Sequence, residues 1–156
     1  MRMDFKNKKG LSLMELLFVI AIVGIMSTIV LNSLSASRAK SNDAKVQMQL
    51  RGFRAAAENY YTSQSPVTYG SANDCNSGMF VDTDPKHGSP ALYLASSALP
   101  AGTQVFCGST DGTNGVSSEY AVIASLSKPG QYWCVDNKGF AGLFSGTPNN
   151  GLTSCE

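Results

Sequence analysis

The chain has 156 residues, a formal net charge of +1 and a charged fraction of only 15%. This length suits one domain with one appended element. A net charge this close to zero does not require a strongly basic face, so nucleic acid is not expected as a main ligand. Residues after position 63 are rich in glycine, serine, threonine and asparagine, which is typical of loop-rich extracellular β structure rather than of a cytosolic enzyme.

The first ten residues are polar and basic, and an uncharged apolar run from Leu16 to Leu31 follows them. With residues 11–14 this makes about 20 residues, the length that a helix needs to cross a bilayer. Glu15 interrupts the segment, and a carboxylate near hydrocarbon costs on the order of 2.5–3.5 kcal/mol, so it needs a partner or a purpose. Because basic flanks stay in the cytoplasm, the bulk of the chain is expected outside the inner membrane.

Hydropathy alone leaves two ordinary interpretations open. The first is a secretory signal peptide, with a basic n-region and a small-residue cleavage site at Ser33-Leu34-Ser35 before Ala36. It would yield a secreted, disulfide-bonded binding protein that lacks the apolar segment. The second is a plain single-pass membrane anchor that carries a glutamate.

The segment around Glu15 resembles the processing site of type IV pilins and of the pseudopilins of type II secretion, through the residues Gly10-Leu11-Ser12-Leu13-Met14-Glu15-Leu16-Leu17. In that family a prepilin peptidase cuts a short basic leader after a glycine, and the new N-terminal residue is methylated. The resemblance, which covers residues 8–31, therefore implies cleavage between Gly10 and Leu11 and N-methylation of Leu11, although phenylalanine is the commoner first residue. Loss of residues 1–10 would leave eight basic and ten acidic residues.

The resemblance also implies an assembly role for Glu15. After cleavage Leu11 would carry an amine that is cationic or nearly so at neutral pH. Pairing this amine with the Glu15 carboxylate of a neighbouring subunit would offset two desolvation costs and would disfavour subunits that are out of register. Gly24 matches a common family glycine and is expected to soften the helix. Many members carry a proline at the position of Asn32, so the helix kink that this proline supports is not implied here.

The helix is expected to continue beyond the membrane segment. Apolar residues recur at helical spacing, and Pro66 disfavours continuation; the stripe consists of Ala39, Val46, Leu50, Phe53, Ala57 and Tyr60. We predict one nearly continuous helix from Leu11 to about Ser63. Residues 11–35 would form its transmembrane and assembly half, and residues 36–63 would belong to a globular head, residues 36–156. An irregular loop is expected over residues 64–102.

Four strand candidates follow this loop, at Thr103–Cys107, Glu119–Ser127, Gln131–Asp136 and Phe140–Phe144. Turn-type residues separate them, which predicts an antiparallel meander over about 103–144 and a C-terminal tail from Ser145. One face of such a sheet needs a cover, and the helix stripe can supply it. We therefore predict an α+β fold in which a long N-terminal helix packs on a small antiparallel sheet, as the family resemblance also implies.

The four cysteines all follow the membrane segment. An even number in a translocated domain predicts two disulfides, for which three pairings exist. We favour Cys75–Cys107 and Cys134–Cys155, because each closes a local loop and the second would fasten the tail to the sheet. A zinc site is the alternative, but the cysteines lack close ligand spacing and a nearby histidine, so no metal is predicted.

The sequence contains no nucleophile elbow, phosphate loop or dinucleotide fingerprint. No catalytic residue and no cofactor are therefore predicted, and an enzyme is not expected.

The single histidine, His87, is expected to be a solvated loop residue. Asp82-Thr83-Asp84 resembles part of a calcium loop but lacks its spaced ligands and closing glutamate, so turn chemistry is preferred. The aromatic residues could line a sugar-binding patch or fill the core; they are Tyr60, Tyr61, Tyr69, Tyr120, Tyr132 and Trp133.

Taken with the resemblance, these features predict a prepilin, which is a single-pass inner-membrane precursor. Its mature form would polymerise through the N-terminal helix into the extracellular filament of a type IV pilus. The implied partners are other pilin subunits, the prepilin peptidase, an inner-membrane assembly platform and the membrane itself. A pseudopilin of a type II secretion or DNA-uptake system is the alternative within the family.

Overall fold

The fold is taken from a computed structural model, which describes residues 12–112 and 118–156, without the side chains of residues 30–32. Contacts between residues divide the chain into a unit that ends at Arg38 and a second unit, Ala39–Glu156. One helix, α1 at Leu13–Ser63, contributes to both units. Its observed limits agree with the helix predicted from the apolar stripe.

In the first unit, α1 displays its apolar side chains rather than burying them. The large apolar side chains from Leu13 to Ile29 are each more than half exposed. The hydroxyls of Ser27 and Thr28 donate to the carbonyls of Val23 and Ile25 at 2.7 and 2.8 Å, so these polar groups are satisfied within the helix. The helix is long and apolar enough to cross a membrane by length and composition.

The second unit contains a four-stranded antiparallel sheet. Its strands are β1 at Val105–Ser109, β2 at Tyr120–Ser125, β3 at Tyr132–Asp136 and β4 at Ala141–Phe144. Each strand pairs with the next in the chain, in the order β1-β2-β3-β4. The predicted meander is confirmed, and each strand limit lies within two residues of its predicted position.

The inner face of the sheet packs on the part of α1 that follows Ala39. The buried residues of this interface are Val46, Leu50, Phe53 and Ala57 from the helix and Tyr120, Val122, Ala124 and Val135 from the strands. The helix residues recur at intervals of four, three and four, and the β2 residues alternate, so each element buries one face. A fully buried large apolar side chain contributes about 1.5–3 kcal/mol, so this interface is the main source of stability of the second unit.

The outer face of the sheet has a smaller apolar cluster of its own. Buried Ala121, Ile123 and Cys134 lie there, and the C-terminal tail adds Leu152 and Cys155. The tail therefore covers a face that would otherwise expose β2 and β3 to solvent.

The segment predicted as an irregular loop contains short helical turns. Two 3₁₀ turns lie at Gly78–Val81 and Pro85–His87, and a four-residue helix, α2, lies at Ala91–Leu94. Met79 and Phe80 are buried in the inner core, so this part of the loop is docked on it. Gly88 has a φ of +83°, and a Cβ there would lie 2.9 Å from the carbonyl oxygen of Ala56, so glycine permits the close packing of the loop on α1.

The prediction for His87 is wrong. Its Nδ1 lies 2.7 Å from Oδ2 of Asp82, and its ring meets Tyr60 edge-on with centroids 5.9 Å apart. The histidine is thus a partly buried contact between the loop and α1 rather than a solvated side chain. Sequence reasoning missed this contact because it depends on how the loop docks.

Candidate functional site at the start of the long helix

The predicted processing residues adjoin the first turn of α1. Gly10 and Leu11 themselves lie outside the described residues, so cleavage and methylation there remain predictions. Ser12 is the first described residue, and α1 begins at Leu13. Glu15 lies in the first turn of the helix.

Ser12 and Glu15 form a reciprocal cap on the helix. The backbone N–H of Ser12 donates to Oε2 of Glu15 at 2.9 Å, and Oγ of Ser12 accepts from the backbone N–H of Met14 at 3.4 Å. The carbonyl of Ser12 accepts the N–H of Leu16 at 3.1 Å, which is the first bond of the helix. This is a capping box, in which a serine and a glutamate three residues later each satisfy a free backbone N–H.

Glu15 was expected to act only between subunits, and this cap was not predicted, although Ser-x-x-Glu is its sequence signature. The cap gives Glu15 a purpose within its own chain. A negative charge in the first turn also interacts favourably with the positive end of the helix dipole. A carboxylate has about four acceptor positions, so accepting one N–H leaves Glu15 able to bind a cation as well.

Gly24 has open space around it. A Cβ built at this position would meet no atom within 4 Å. Packing among the described residues therefore does not require glycine at this position, and the expected softening of the helix stays a prediction. The side chain of Asn32 lies outside the description, so the effect of the missing proline remains a prediction.

The cysteines form the two pairs that the sequence analysis favoured. Cys75–Cys107 joins the loop to β1, and Cys134–Cys155 joins β3 to the tail. Because all four sulfurs are in disulfides, they are not available as thiolate ligands for zinc. The second bond fastens the tail over the outer face of the sheet.

The aromatic residues lie mainly in the two cores. Tyr69 and Tyr120 are buried, with ring centroids 4.8 Å apart. Tyr60, Tyr61 and Trp133 pack on the same inner core, whereas Tyr132 belongs to the outer cluster. Since they serve two opposite faces of the sheet, these side chains do not form one sugar-binding patch.

Comparison with known proteins identifies one feature of this chain. Residues 5–31 match the family model of the prokaryotic N-terminal methylation motif. The match covers the predicted cleavage site, the Ser12–Glu15 cap and the apolar run. Comparison with curated proteins and with solved structures gave no match to the chain.

Proposed function

We propose that this chain, whose residues 5–31 match the prokaryotic N-terminal methylation motif, is a precursor of the type IV pilin and pseudopilin family and a structural subunit of a type IV pilus-like filament. The observation that carries the proposal is the register of Gly10, Ser12 and Glu15 with the apolar run, within the matched motif. A prepilin peptidase would remove residues 1–10, and the new N-terminus at Leu11 would be methylated. The precursor would span the inner membrane once and would enter the filament from an assembly platform there.

The exposed apolar surface of α1 supports polymerisation. Residues from Leu13 to Ile29 need lipid around them or the helices of other subunits. Helices that leave lipid to pack together gain through close contact rather than through a new hydrophobic effect. Gly24, with Ser27 and Thr28 nearby, gives α1 a stretch of small side chains where a neighbouring helix can approach closely.

In this proposal Glu15 selects the incoming subunit. Its carboxylate would accept the charged amine of Leu11 from a neighbour while it keeps the Ser12 N–H of its own chain. A subunit in the wrong register would leave both charges unpaired in an apolar environment, where breaking a buried pair costs about 3–5 kcal/mol.

Three substitutions separate the charge of Glu15 from its capping bond. Glu15→Gln removes the charge but keeps a side chain that can complete a capping box, and we expect filament yield to fall at least about tenfold through loss of the charge pair. Ser12→Ala loses the serine cap, worth about 1 kcal/mol, but keeps the charge and should assemble nearly normally. Glu15→Ala removes both interactions and should assemble least.

The measurement is the ratio of protein in the sheared surface fraction to protein in the membrane fraction, with correct processing checked by mass. Equal yields from Glu15→Gln and the unsubstituted protein would contradict the charge role. A loss in Ser12→Ala as large as that in Glu15→Gln would instead assign the effect to the helix cap.

The two alternative functions, a pseudopilin and a secreted binding protein, predict different results in electron microscopy and in N-terminal sequencing. A pseudopilin of a type II secretion or DNA-uptake system would leave cells without long surface filaments, which electron microscopy would reveal. The secreted binding protein would begin at Ala36. The helix continues through Ser35 and Ala36 without a break, which argues against an ordinary signal-peptidase site there.

A further inference from the structure

The charges of this chain are separated along the sequence. Residues 38–54 contain five basic residues and one acidic residue, whereas residues 58–119 contain six acidic residues and one basic residue. The near-neutral whole thus consists of a positive helical stretch and a negative stretch that includes the loop after α1.

Three of these basic residues lie on one exposed side of α1. We call Lys40, Lys45 and Arg51, together with Met48, the basic strip. All four are exposed, and Met48 is 64% exposed at the centre. By helical spacing they lie opposite the core-facing stripe of Val46, Leu50, Phe53 and Ala57.

The basic strip has no acidic partner within the described residues. The ion pairs found in residues 12–112 and 118–156 are His87–Asp82 and Lys138–Glu119. Asp43, the acidic residue of this stretch, keeps its charge but contacts the chain after β2, where its Oδ1 accepts the N–H of Ser127 at 2.7 Å. The strip therefore presents unneutralised positive charge around an exposed apolar side chain.

The negative counterpart is the acidic loop, which we define by Asp74, Asp82 and Asp84. Asp74 and Asp84 shape the loop by accepting the backbone N–H groups of Asn76 and Lys86, each at 2.9 Å. These neutral donors leave the carboxylate charge in place. Asp84 is exposed, and Asp74 and Asp82 are partly exposed.

We propose that the basic strip is an interaction surface for the acidic loop of a second copy of this chain. The inference rests on the proposed polymerisation and adds to it a contact between the globular parts of neighbouring subunits. Every subunit carries both surfaces, and in a head-to-tail arrangement the contact repeats from one subunit to the next along a filament. Such exposed complementary charges fix orientation and speed association more than they add affinity.

The complementarity favours a second copy over a free polyanion. The mature chain would have more acidic than basic residues, so its overall field does not attract nucleic acid or an anionic surface. Within one copy, by contrast, the described residues show no ion pair between the basic strip and the acidic loop, whose Asp82 contacts His87 instead.

Charge reversal in two separate chains tests this contact. The first variant carries Lys40→Glu, Lys45→Glu and Arg51→Glu, and the second carries Asp74→Lys and Asp84→Lys. Each alone would bring like charges together, so we expect filament yield to fall at least about tenfold. Expressed together, each reversed surface meets an opposite charge on the other variant, and we expect yield to return to within about threefold of the unsubstituted protein.

A milder pair of changes controls for folding of the loop. Asp74→Asn with Asp84→Asn removes the charges but keeps acceptors for the turn N–H groups, and should give an intermediate yield. Every variant is retained only if its leader is removed and both disulfides form.

Two results would overturn the contact while leaving polymerisation intact. One is normal assembly of the first variant alone. The other is loss in both variants without rescue in the mixture, which would point to a lipid or nucleic acid partner instead. Failure of the unsubstituted protein to form filaments in the same cells would overturn the proposed function itself.

Discussion

Tyr120 places one polar group, its hydroxyl, in the inner core. The residue is fully buried, and its hydroxyl has no hydrogen-bond partner among the described residues. Its ring packs against Phe53 and Tyr69, with centroids 5.8 and 4.8 Å away. Burial, and next the nearby charge of Glu58, raise the pKa of Tyr120. Burial and a hydrogen bond to Glu58 likewise raise the pKa of Tyr69.

The raised pKa values of these tyrosines predict that the folded protein loses stability at alkaline pH. An unfolded tyrosine ionises at about pH 10. In the folded protein the raised pKa values keep the hydroxyls of Tyr69 and Tyr120 protonated at that pH. The stability that these tyrosines contribute is therefore fully present below about pH 10 and is lost as the pH rises above it.

Replacement of Tyr120 by phenylalanine keeps the ring and removes the unpaired hydroxyl. We expect the free energy of unfolding at pH 7 to stay unchanged or to rise by about 1 kcal/mol, because no hydrogen bond is lost. The decline of stability above about pH 10 should also become shallower. Tyr69→Phe is the matched control, since it loses the 2.9 Å bond to Glu58 and should cost about 1 kcal/mol.

Urea unfolding of the full chain in detergent, followed by near-ultraviolet circular dichroism at neutral and alkaline pH, measures both variants. A loss of more than about 2 kcal/mol in Tyr120→Phe at pH 7 would contradict this account, because it would mean that the hydroxyl makes a stabilising bond.

At the scale of elements, a few hydrogen bonds and one disulfide hold the C-terminal tail on the sheet. The N–H of Gly151 donates to the carbonyl of Cys107 at 2.9 Å, and Oδ1 of Asn150 accepts the N–H of Cys107 at 3.1 Å. A Cβ at Gly108 would lie 2.6 Å from the carbonyl carbon of Gly151, so the tail passes close over β1 only because residue 108 is glycine.

Buried Asp136 anchors the far end of the same tail. Its Oδ2 accepts the N–H of Cys155 at 3.2 Å, while its Oδ1 accepts the N–H groups of Lys138 and Phe140 at 3.0 and 2.9 Å. One carboxylate thus joins the β3–β4 turn to the chain terminus, beside the Cys134–Cys155 disulfide.

Removal of that disulfide should release the tail without unfolding the inner core. For Cys134→Ala with Cys155→Ala, we expect a loss of about 3 kcal/mol from the closed loop and faster proteolysis of the tail. The inner core, which includes Phe53, Val122 and Val135, is a separate cluster from that of Cys134 and Cys155 and should persist. Limited proteolysis with mass spectrometry checks this outcome, and cleavage within β2 before the tail is cut would contradict it.

At the scale of the whole molecule, the sequence predicted the features that repeat along the chain. The helical stripe from Val46 to Ala57 and the alternation in β2 directly reflect burial of one face, so they specified both elements and their contact. The disulfide pairing followed from loop closure. Contacts that depend on distant segments were not predicted, as His87 with Asp82 and the three bonds of Asp136 show. The Ser12–Glu15 cap, by contrast, is a local pattern of Ser-x-x-Glu, so it could have been predicted from the sequence.

The proposed function depends most on cleavage and N-methylation at Leu11, two residues before the start of α1 at Leu13. Intact mass and N-terminal sequencing of protein from the membrane and sheared fractions test it most directly, with Gly10→Val as the variant that should remain uncut. We expect a chain that starts at Leu11 and carries one added methyl group. A chain that starts at Ala36, or one that retains Met1 in the assembled fraction, would contradict it.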